Sequence, residues 1–415
     1  MVTKTNPRGC GAIGTLLRKS FRELRQLCSG IRRIISNPLD LHPVGWPPRQ
    51  EEIDKIAKQT LERTGAISER LWRHVSSEEK VVEMIFEHCR RKGFPYYDLT
   101  LWERVKEFEK IRRPKRIIRK GIVSQNMTGL GLAWYHFPHS WEIRCGSGRT
   151  PMEAFHDDDL LKDAIRARIR NDTLFNDTKL RKTLKIYSGV QSVSNFRPTA
   201  AKAIYDEHCD GTTWDMCAGF GGRLLGALAS RRVKRYIGTD PSRRTYEGLC
   251  RLREDYLFWR EKGLLPSRTK EIELHQIGSE DFRPEPGSVD LCFTSPPYFD
   301  TERYSDEETQ SYVKFPTPRE WLEGFLGQTL ENCRIALKES GRLIINIADV
   351  KRYPNLTVDF LELAERKGFV LEEELKLALS SINGTGFKYE PVYVFHLKGW
   401  EGKRHRKGSI FYWLS

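Results

Sequence analysis

The sequence predicts an α/β chain. A seven-stranded, doubly wound sheet over residues 186–400 follows a basic, mainly helical region, 1–185, and precedes a short basic and aromatic tail, 401–415. Three observations predict this. From residue 191 onward, short β-rich apolar runs alternate with longer runs at helical spacing, the pattern of parallel strands joined by crossover helices. A glycine-rich turn, "CAGFGG" (217–222), follows the first of these strands, where open α/β sheets place their ligands. Charge is divided unevenly: residues 1–190 carry 37 Lys and Arg against 23 Asp and Glu, and residues 191–415 carry 33 against 33, so the whole surplus of +14 lies in the first part.

In the basic region, residues 12–35, 50–75 and 78–92 space their apolar side chains near the helical period and are expected as helices. The run "RVKEFEKIRRPKRIIRK" (104–120) concentrates positive charge and suits a polyanion; a solvated helical face is the other reading of such a run. Residues 123–151 are rich in glycine and aromatics and poor in charge. They are expected mostly as buried aromatics, with a base-stacking surface as the alternative.

Seven strands are expected at 212–218, 235–240, 272–278, 288–296, 341–349, 369–379 and 391–398. Helices are expected at 222–231, 243–262, 318–339 and 356–367, with Pro318 at a helix start and Gly341 just past a helix end. The last two strands have no helix between them, so they should pair as an antiparallel hairpin around "SSINGTG".

At 415 residues with 39% hydrophobic side chains, the chain is globular and long enough for two or three domains. No apolar stretch is long enough to cross a bilayer, and the basic N-terminus does not read as a secretion signal, so no membrane is implied. Nine scattered cysteines without a Cys-x-x-Cys pair fit a reducing cytoplasm and argue against a zinc site.

The residues that carry chemistry sit at the expected strand ends. Asp215 ends the first strand, and Gly219, Gly221 and Gly222 let the backbone turn tightly before a helix. Asp240 ends the second strand, roughly twenty residues after the glycine turn, where an acid accepts ribose hydroxyls. Asp281, or its neighbour Glu280, follows the third strand where a purine edge would lie. An NAD site would share these features, so the fourth strand decides. It ends in Ser295, Pro296, Pro297 and Tyr298. Consecutive prolines fix an extended backbone whose carbonyls have no ladder partner, and an aromatic ring stands next to them.

At this point the sequence resembles the S-adenosylmethionine-dependent amino methyltransferases of DNA, which modify cytosine N4 or adenine N6. Their catalytic tetrapeptide, Ser, Asp or Asn followed by Pro-Pro and an aromatic, matches Ser295, Pro296, Pro297 and Tyr298. Their cofactor turn resembles "DMCAGFGG", with Asp215, Ala218, Gly219 and Gly221 at matching positions, and their upstream motif resembles "SNFRPTAAKAIYDEH", with Phe196, Arg197 and Pro198. Met216 stands where the family often has proline and Gly222 where it often has threonine. The resemblance covers about residues 186–400 and implies a Rossmann-like methyltransferase sheet with S-adenosyl-L-methionine as cofactor.

The resemblance also implies the chemistry. A carbonyl of Ser295 or Pro296, with the Ser295 hydroxyl, accepts hydrogens of the target amino group, and no metal is required. The partner is double-stranded DNA whose target base is flipped out and stacked on Tyr298, with help from Phe299. The acidic segment after Asp300 is expected as a mobile loop over the site. With fewer than eighty residues between cofactor and catalytic motifs, target recognition falls to the basic N-terminal region. A restriction nuclease is a partner the resemblance allows. Serine at the head of the tetrapeptide favours cytosine N4. The alternatives are adenine N6, guanine N2 of RNA, and a catalytically silent nucleic-acid-binding module.

Overall fold

A computed structural model describes residues 49–113, 117–124, 126–146, 148–171, 174–185, 189–265, 269–382 and 386–400. The helix expected over 12–35 and the tail 401–415 lie outside the described residues.

Nine strands form the central sheet: β1 (Ile118–Arg119), β2 (Ile122–Val123), β3 (Thr212–Asp215), β4 (Arg235–Thr239), β5 (Glu271–His275), β6 (Val289–Thr294), β7 (Leu337–Asn346), β8 (Phe369–Ile382) and β9 (Gly386–Leu397). Their order is β1-β2-β8-β9-β7-β6-β3-β4-β5. All seven expected strands are present, as β3 to β9. Neighbours among β3 to β7 run parallel, and β9 runs antiparallel between β7 and β8. This arrangement is the Rossmann-like, doubly wound sheet expected from the sequence. The β1–β2 hairpin comes from the basic region and docks β2 parallel on β8, with Ile122 and Val123 opposite Lys376 and Leu377. Two-residue strands leave no alternating pattern to read, so the sequence did not announce them.

Side chains alternate between the two faces of the sheet. Leu291 and Phe293 of β6 join one core with Ile344, Val392 and Val394, while Cys292 joins the other with Leu343, Ile345 and Phe395. The first core is covered by helices α1 (Pro198–His208), α2 (Gly222–Ala229) and α3 (Arg243–Glu261), and the second by α4 (Gly327–Ala336) and α5 (Leu356–Arg366).

Three expectations need correction. The helix expected over 318–339 is divided: Pro318–Glu320 leads into a wide π turn, Trp321–Leu326, and α4 ends at Ala336. Gly341 therefore lies inside β7, where pairing with β6 shifts register between Leu337 and Arg342. The helix expected over 50–75 stops at Thr64, because Gly65 takes a left-handed φ of 66° and caps it; Ile67–Ser68 then pairs with Leu174–Phe175. The helix Glu78–Lys92 matches its expected span and is capped by Ser77.

The third correction concerns the boundary at 185. The basic region does not form one separate unit. Residues 57–89 and 154–190 enclose their own core, which includes Ile85, Phe155, Leu161 and Phe175. Residues 105–145 instead belong to the core of the sheet, through Phe108, Trp134 and Phe137. Phe108 packs its ring 5.9 Å from Tyr256 and 5.7 Å from Trp259 of α3. The charge surplus marks the surface of this region, not its packing.

Candidate active site

The carboxyl ends of β3 to β7 open on one edge of the sheet. Asp215 is in register with Gly238, and Thr294 with Ile345, so the turns leaving these strands face one another. Between them lies a cavity of about 550 Å3, within the range of a small-molecule pocket.

A buried polar network supports the glycine turn. Asp215, fully buried, accepts from Arg223 Nε at 3.0 Å to each carboxylate oxygen, from the Tyr236 hydroxyl at 2.8 Å and from Thr294 Oγ1 at 3.1 Å. Arg223 also donates to the Cys217 carbonyl. Asp215 does not line the cavity. Expected as a cofactor contact, it is instead an anchor: its carboxylate is saturated by neighbours and holds the turn from below.

Above it, Gly219 takes a left-handed φ of 55° and donates its N–H to Asp240 Oδ2 at 2.9 Å. At Gly222 a Cβ would stand 1.9 Å from the Phe196 carbonyl oxygen, so the threonine common in the resembling family has no room here.

At this end of the cavity Asp240 is 9% exposed and accepts a second N–H, from Ser242, at 3.0 Å. Burial raises its carboxyl from 3.8 to about 7, against the pull of those two donors. Glu280, 7% exposed, also lines the cavity. Asp281 does not: its side chain is 54% exposed and pairs with Lys314 outside. The residue that β5 delivers to the site is therefore Glu280 and not Asp281. Asn332 fixes this turn by donating to the Ser279 and Glu280 carbonyls at 3.0 Å.

Two buried polar atoms here, Glu280 Oε2 and Gln310 Nε2, have no hydrogen-bond partner among the described residues. An acceptor and a donor left open on one cavity wall, beside Asp240, form a donor and acceptor set that fits a nucleoside.

Of the upstream motif, Phe196 and Arg197 line the cavity and Pro198 does not. Pro198 is the first residue of α1, where a missing N–H costs nothing. Arg197 donates to the carbonyls of Ala378 at 2.6 Å and Leu379 at 2.8 Å, tying the loop before α1 to β8. Ala218 and Gly219 line the cavity; Gly221 packs under Leu252 and Phe137 instead.

Ser295, Pro296, Pro297 and Tyr298 line the opposite end. The Tyr298 hydroxyl lies 3.4 Å from the Asn346 carbonyl oxygen and 3.4 Å from Glu390 Oε2 on β9. Burial pushes this phenol up, with the Glu390 charge next in effect. Phe299 is not part of the platform. Its φ of 56° turns it into the core, where it packs on Trp321 and Tyr353.

The acidic segment after Asp300 is not a free loop. Glu302–Arg303 pairs antiparallel with Arg144–Cys145, Asp300 pairs with Arg352 at 2.7 Å, and Glu307 accepts the Arg243 N–H at 3.2 Å. Glu302, Tyr304 and Gln310 of this segment reach the cavity.

Among the cavity residues that escaped the sequence reading are Arg223, Glu302, Gln310 and Glu390. Arg223 had a signal, a lone charge heading the apolar helix "GRLLGALA", which requires a buried partner. Glu302, Gln310 and Glu390 had none.

Three basic residues of the run 104–120 are paired within the chain. Arg104 bonds Asp255 at 2.9 Å, Arg112 bonds Glu109 at 2.5 Å, and Lys110 bonds Glu107. Trp134, Phe137 and Trp141 of the glycine-rich and aromatic stretch are buried. Among the described residues no group of three or more His, Cys, Asp or Glu is placed to hold a metal ion, and no helix is long and apolar enough to cross a membrane.

No protein-family model matches the chain, and no curated protein matches it. Solved structures similar to part of it include a TehB-like S-adenosylmethionine-dependent methyltransferase from Corynebacterium glutamicum, at 18% identity and a TM-score of 0.31 over 49% of this chain and 90% of that one. A methyltransferase from Pyrococcus furiosus matches at 13% identity and 0.33, over 52% and 94%. An S-adenosylmethionine-dependent methyltransferase from Clostridium acetobutylicum matches at 11% and 0.31, over 48% and 88%. These values are too low to bear on function, which rests on the residues of the site.

Proposed function

We propose that this protein is an S-adenosylmethionine-dependent methyltransferase acting on an exocyclic amino group of a flipped DNA base, with cytosine N4 favoured. One observation carries the reading: a single cavity holds Asp240 and Glu280 at one end and Ser295 to Tyr298 at the other.

The bound cofactor would supply an electrophilic methyl group. Asp240 is placed to accept ribose hydroxyls. Glu280 Oε2 and Gln310 Nε2 complement an amino group and a ring nitrogen of adenine. At the other end the Ser295 hydroxyl and the carbonyls of Ser295 and Pro296 can accept a hydrogen of the target amino group, which favours a more tetrahedral, more nucleophilic nitrogen. Tyr298 offers a face for the ring that carries it. Alignment of nitrogen and methyl group supplies much of the remaining rate.

Affinity for a polyanion belongs to the chain ends. Residues 1–48 carry eight basic against two acidic residues and 401–415 carry four against one, so nine of the fourteen net positive charges lie in these two segments. Adenine N6 presents the same hydrogen-bonding edge as cytosine N4 and is the alternative target.

The test has two arms. Calorimetry should show S-adenosylmethionine binding to the purified protein, and labelled methyl groups should pass to DNA in preference to RNA or protein. Absence of cofactor binding would leave the silent nucleic-acid-binding module as the better reading.

A further inference from the structure

The segment that follows Tyr298 brings two unsatisfied groups to the cavity wall. Thr301, Glu302 and Tyr304 all line the cavity. Glu302 is half-buried; its Oε1 accepts the Ser194 N–H at 3.3 Å and its Oε2 accepts from the Tyr304 hydroxyl. Both donors are neutral, and among the described residues the groups that act on this carboxyl, Tyr304, Ser194 and Glu390, include no cation. Next to it, Thr301 Oγ1 is buried and has no hydrogen-bond partner among the described residues. The backbone here is fixed: the Thr301 carbonyl accepts the Gly146 N–H at 2.9 Å, and Glu302–Arg303 pairs with Arg144–Cys145. A carboxylate without a cation and a hydroxyl without a partner, held side by side, both cost free energy until a ligand meets them.

The other acids at the cavity have different surroundings. Asp240 accepts two backbone N–H groups, and Glu280 Oε1 pairs with Lys314 at 3.0 Å. Asp349 is exposed and accepts the Thr357 N–H at 2.8 Å, and Glu390 on β9 has Lys388 and Arg197 nearby. Glu302 instead belongs to the flank of the glycine turn. Ser194, its backbone donor, precedes Asn195, whose Nδ2 donates to the Phe220 carbonyl at 2.9 Å, and the Tyr304 ring lies 5.9 Å from the Phe220 ring. The same turn holds Asp240 through the Gly219 N–H.

We propose that Glu302 binds the α-ammonium group of the cofactor's amino-acid tail and that the Thr301 hydroxyl donates to its α-carboxylate. The inference rests on the methyltransferase reading above. A cofactor whose ribose lies at Asp240 and whose methyl group faces Ser295 to Tyr298 has one remaining branch at sulfur, the amino-acid tail, and that branch leaves along the glycine turn. The tail ends in an ammonium and a carboxylate on one carbon atom, so the groups that receive them have to be neighbours on the wall. Thr301 and Glu302 are neighbours, and their open valences are a negative charge and a hydroxyl. A half-buried carboxylate facing an ammonium makes a charge-assisted hydrogen bond that no neutral side chain replaces. The segment after Tyr298 is then part of the cofactor site and sets its preference for a zwitterionic tail.

The test measures binding by calorimetry with full-length protein and two probes, S-adenosylhomocysteine and its analogue in which hydrogen replaces the α-amino group. The wild type should bind the analogue about ten- to hundredfold more weakly, the scale of a hydrogen bond to a charged group. Glu302→Gln keeps an acceptor for the Ser194 N–H. It should weaken S-adenosylhomocysteine by about the same factor and bind the two probes within about twofold of each other, because the charge that told them apart is gone. Asp240→Ala should weaken both probes and preserve their ratio. Thr301→Val should weaken both about tenfold, since both keep the α-carboxylate. The role of Glu302 is overturned if the wild type binds the two probes equally or if Glu302→Gln keeps the wild-type ratio, and the role of Thr301 is overturned if Thr301→Val leaves both affinities unchanged. Failure of the underlying reading would show in the wild type instead, as no binding of either probe or of S-adenosylmethionine, and would remove this inference with it.

Discussion

Arg223 and Asp215 form an ion pair sealed beneath the glycine turn, with Nε 3.0 Å from the carboxylate and the two side chains 5% and 0% exposed. Removing one partner leaves an uncompensated buried charge. Asp215→Ala should therefore destabilise the fold by about 3–5 kcal/mol, while the paired change Asp215→Leu with Arg223→Met should recover most of the loss. Urea unfolding checks both, and an unchanged midpoint for Asp215→Ala would show that the pair does not hold the turn.

Asp240 gives the cofactor end a pH signature. Its carboxyl is raised from 3.8 to about 7, so the folded chain keeps a proton that the unfolded chain has released. Stability of the cofactor-free protein should then fall as pH rises from about 4 to about 7. Cofactor affinity should run the other way and increase as pH passes about 7, because the ionised carboxylate is the better acceptor for ribose hydroxyls. Asp240→Asn should flatten both profiles in calorimetry and thermal unfolding; a wild-type profile flat from the start would contradict this assignment.

Glu280 and Asp281 can be separated directly. Glu280→Ala removes a buried acceptor from the cavity and should weaken cofactor binding about tenfold or more, and Gln310→Ala should act in the same direction. Asp281→Ala removes only an exposed ion pair and should leave affinity within about twofold. Equal losses from Glu280→Ala and Asp281→Ala would restore the assignment expected from sequence spacing.

Tyr298→Ala should lower methyl transfer by about ten- to hundredfold, the scale of lost base stacking, and leave cofactor affinity unchanged. Normal turnover would remove the stacking role.

The fused packing of residues 105–145 changes what truncation can show. A fragment from 191 onward would expose the core that Phe108, Trp134 and Phe137 cover, and should not fold; Phe137→Ala alone should cost about 3–5 kcal/mol. Removing only 1–48 and 401–415 should reduce the dependence of DNA affinity on salt. An unchanged salt slope would place the polyanion surface on residues 49–400.

Each strand from β3 to β9 could be read in the sequence because it is an apolar run bounded by Gly, Pro, Asp or Ser, and the site's backbone followed from those boundaries. The side chains around Tyr298 could not. Glu302 and Glu390 are 88 residues apart and meet only because the β8–β9 hairpin closes against the segment after β6. Glu280 and Asp281 are adjacent in a turn, and spacing alone does not tell which of them faces inward. The boundary at 185 failed for a different reason: charge composition reports the surface, while Phe108, Trp134 and Phe137 lie beneath it.

The most direct measurement is to incubate the protein with labelled S-adenosylmethionine and DNA, digest to nucleosides and identify the product by mass spectrometry. The account predicts methylated cytosine at N4, or the adenine N6 product with the same edge. Label on guanine, on a ring carbon, on RNA alone or on no nucleoside would contradict it.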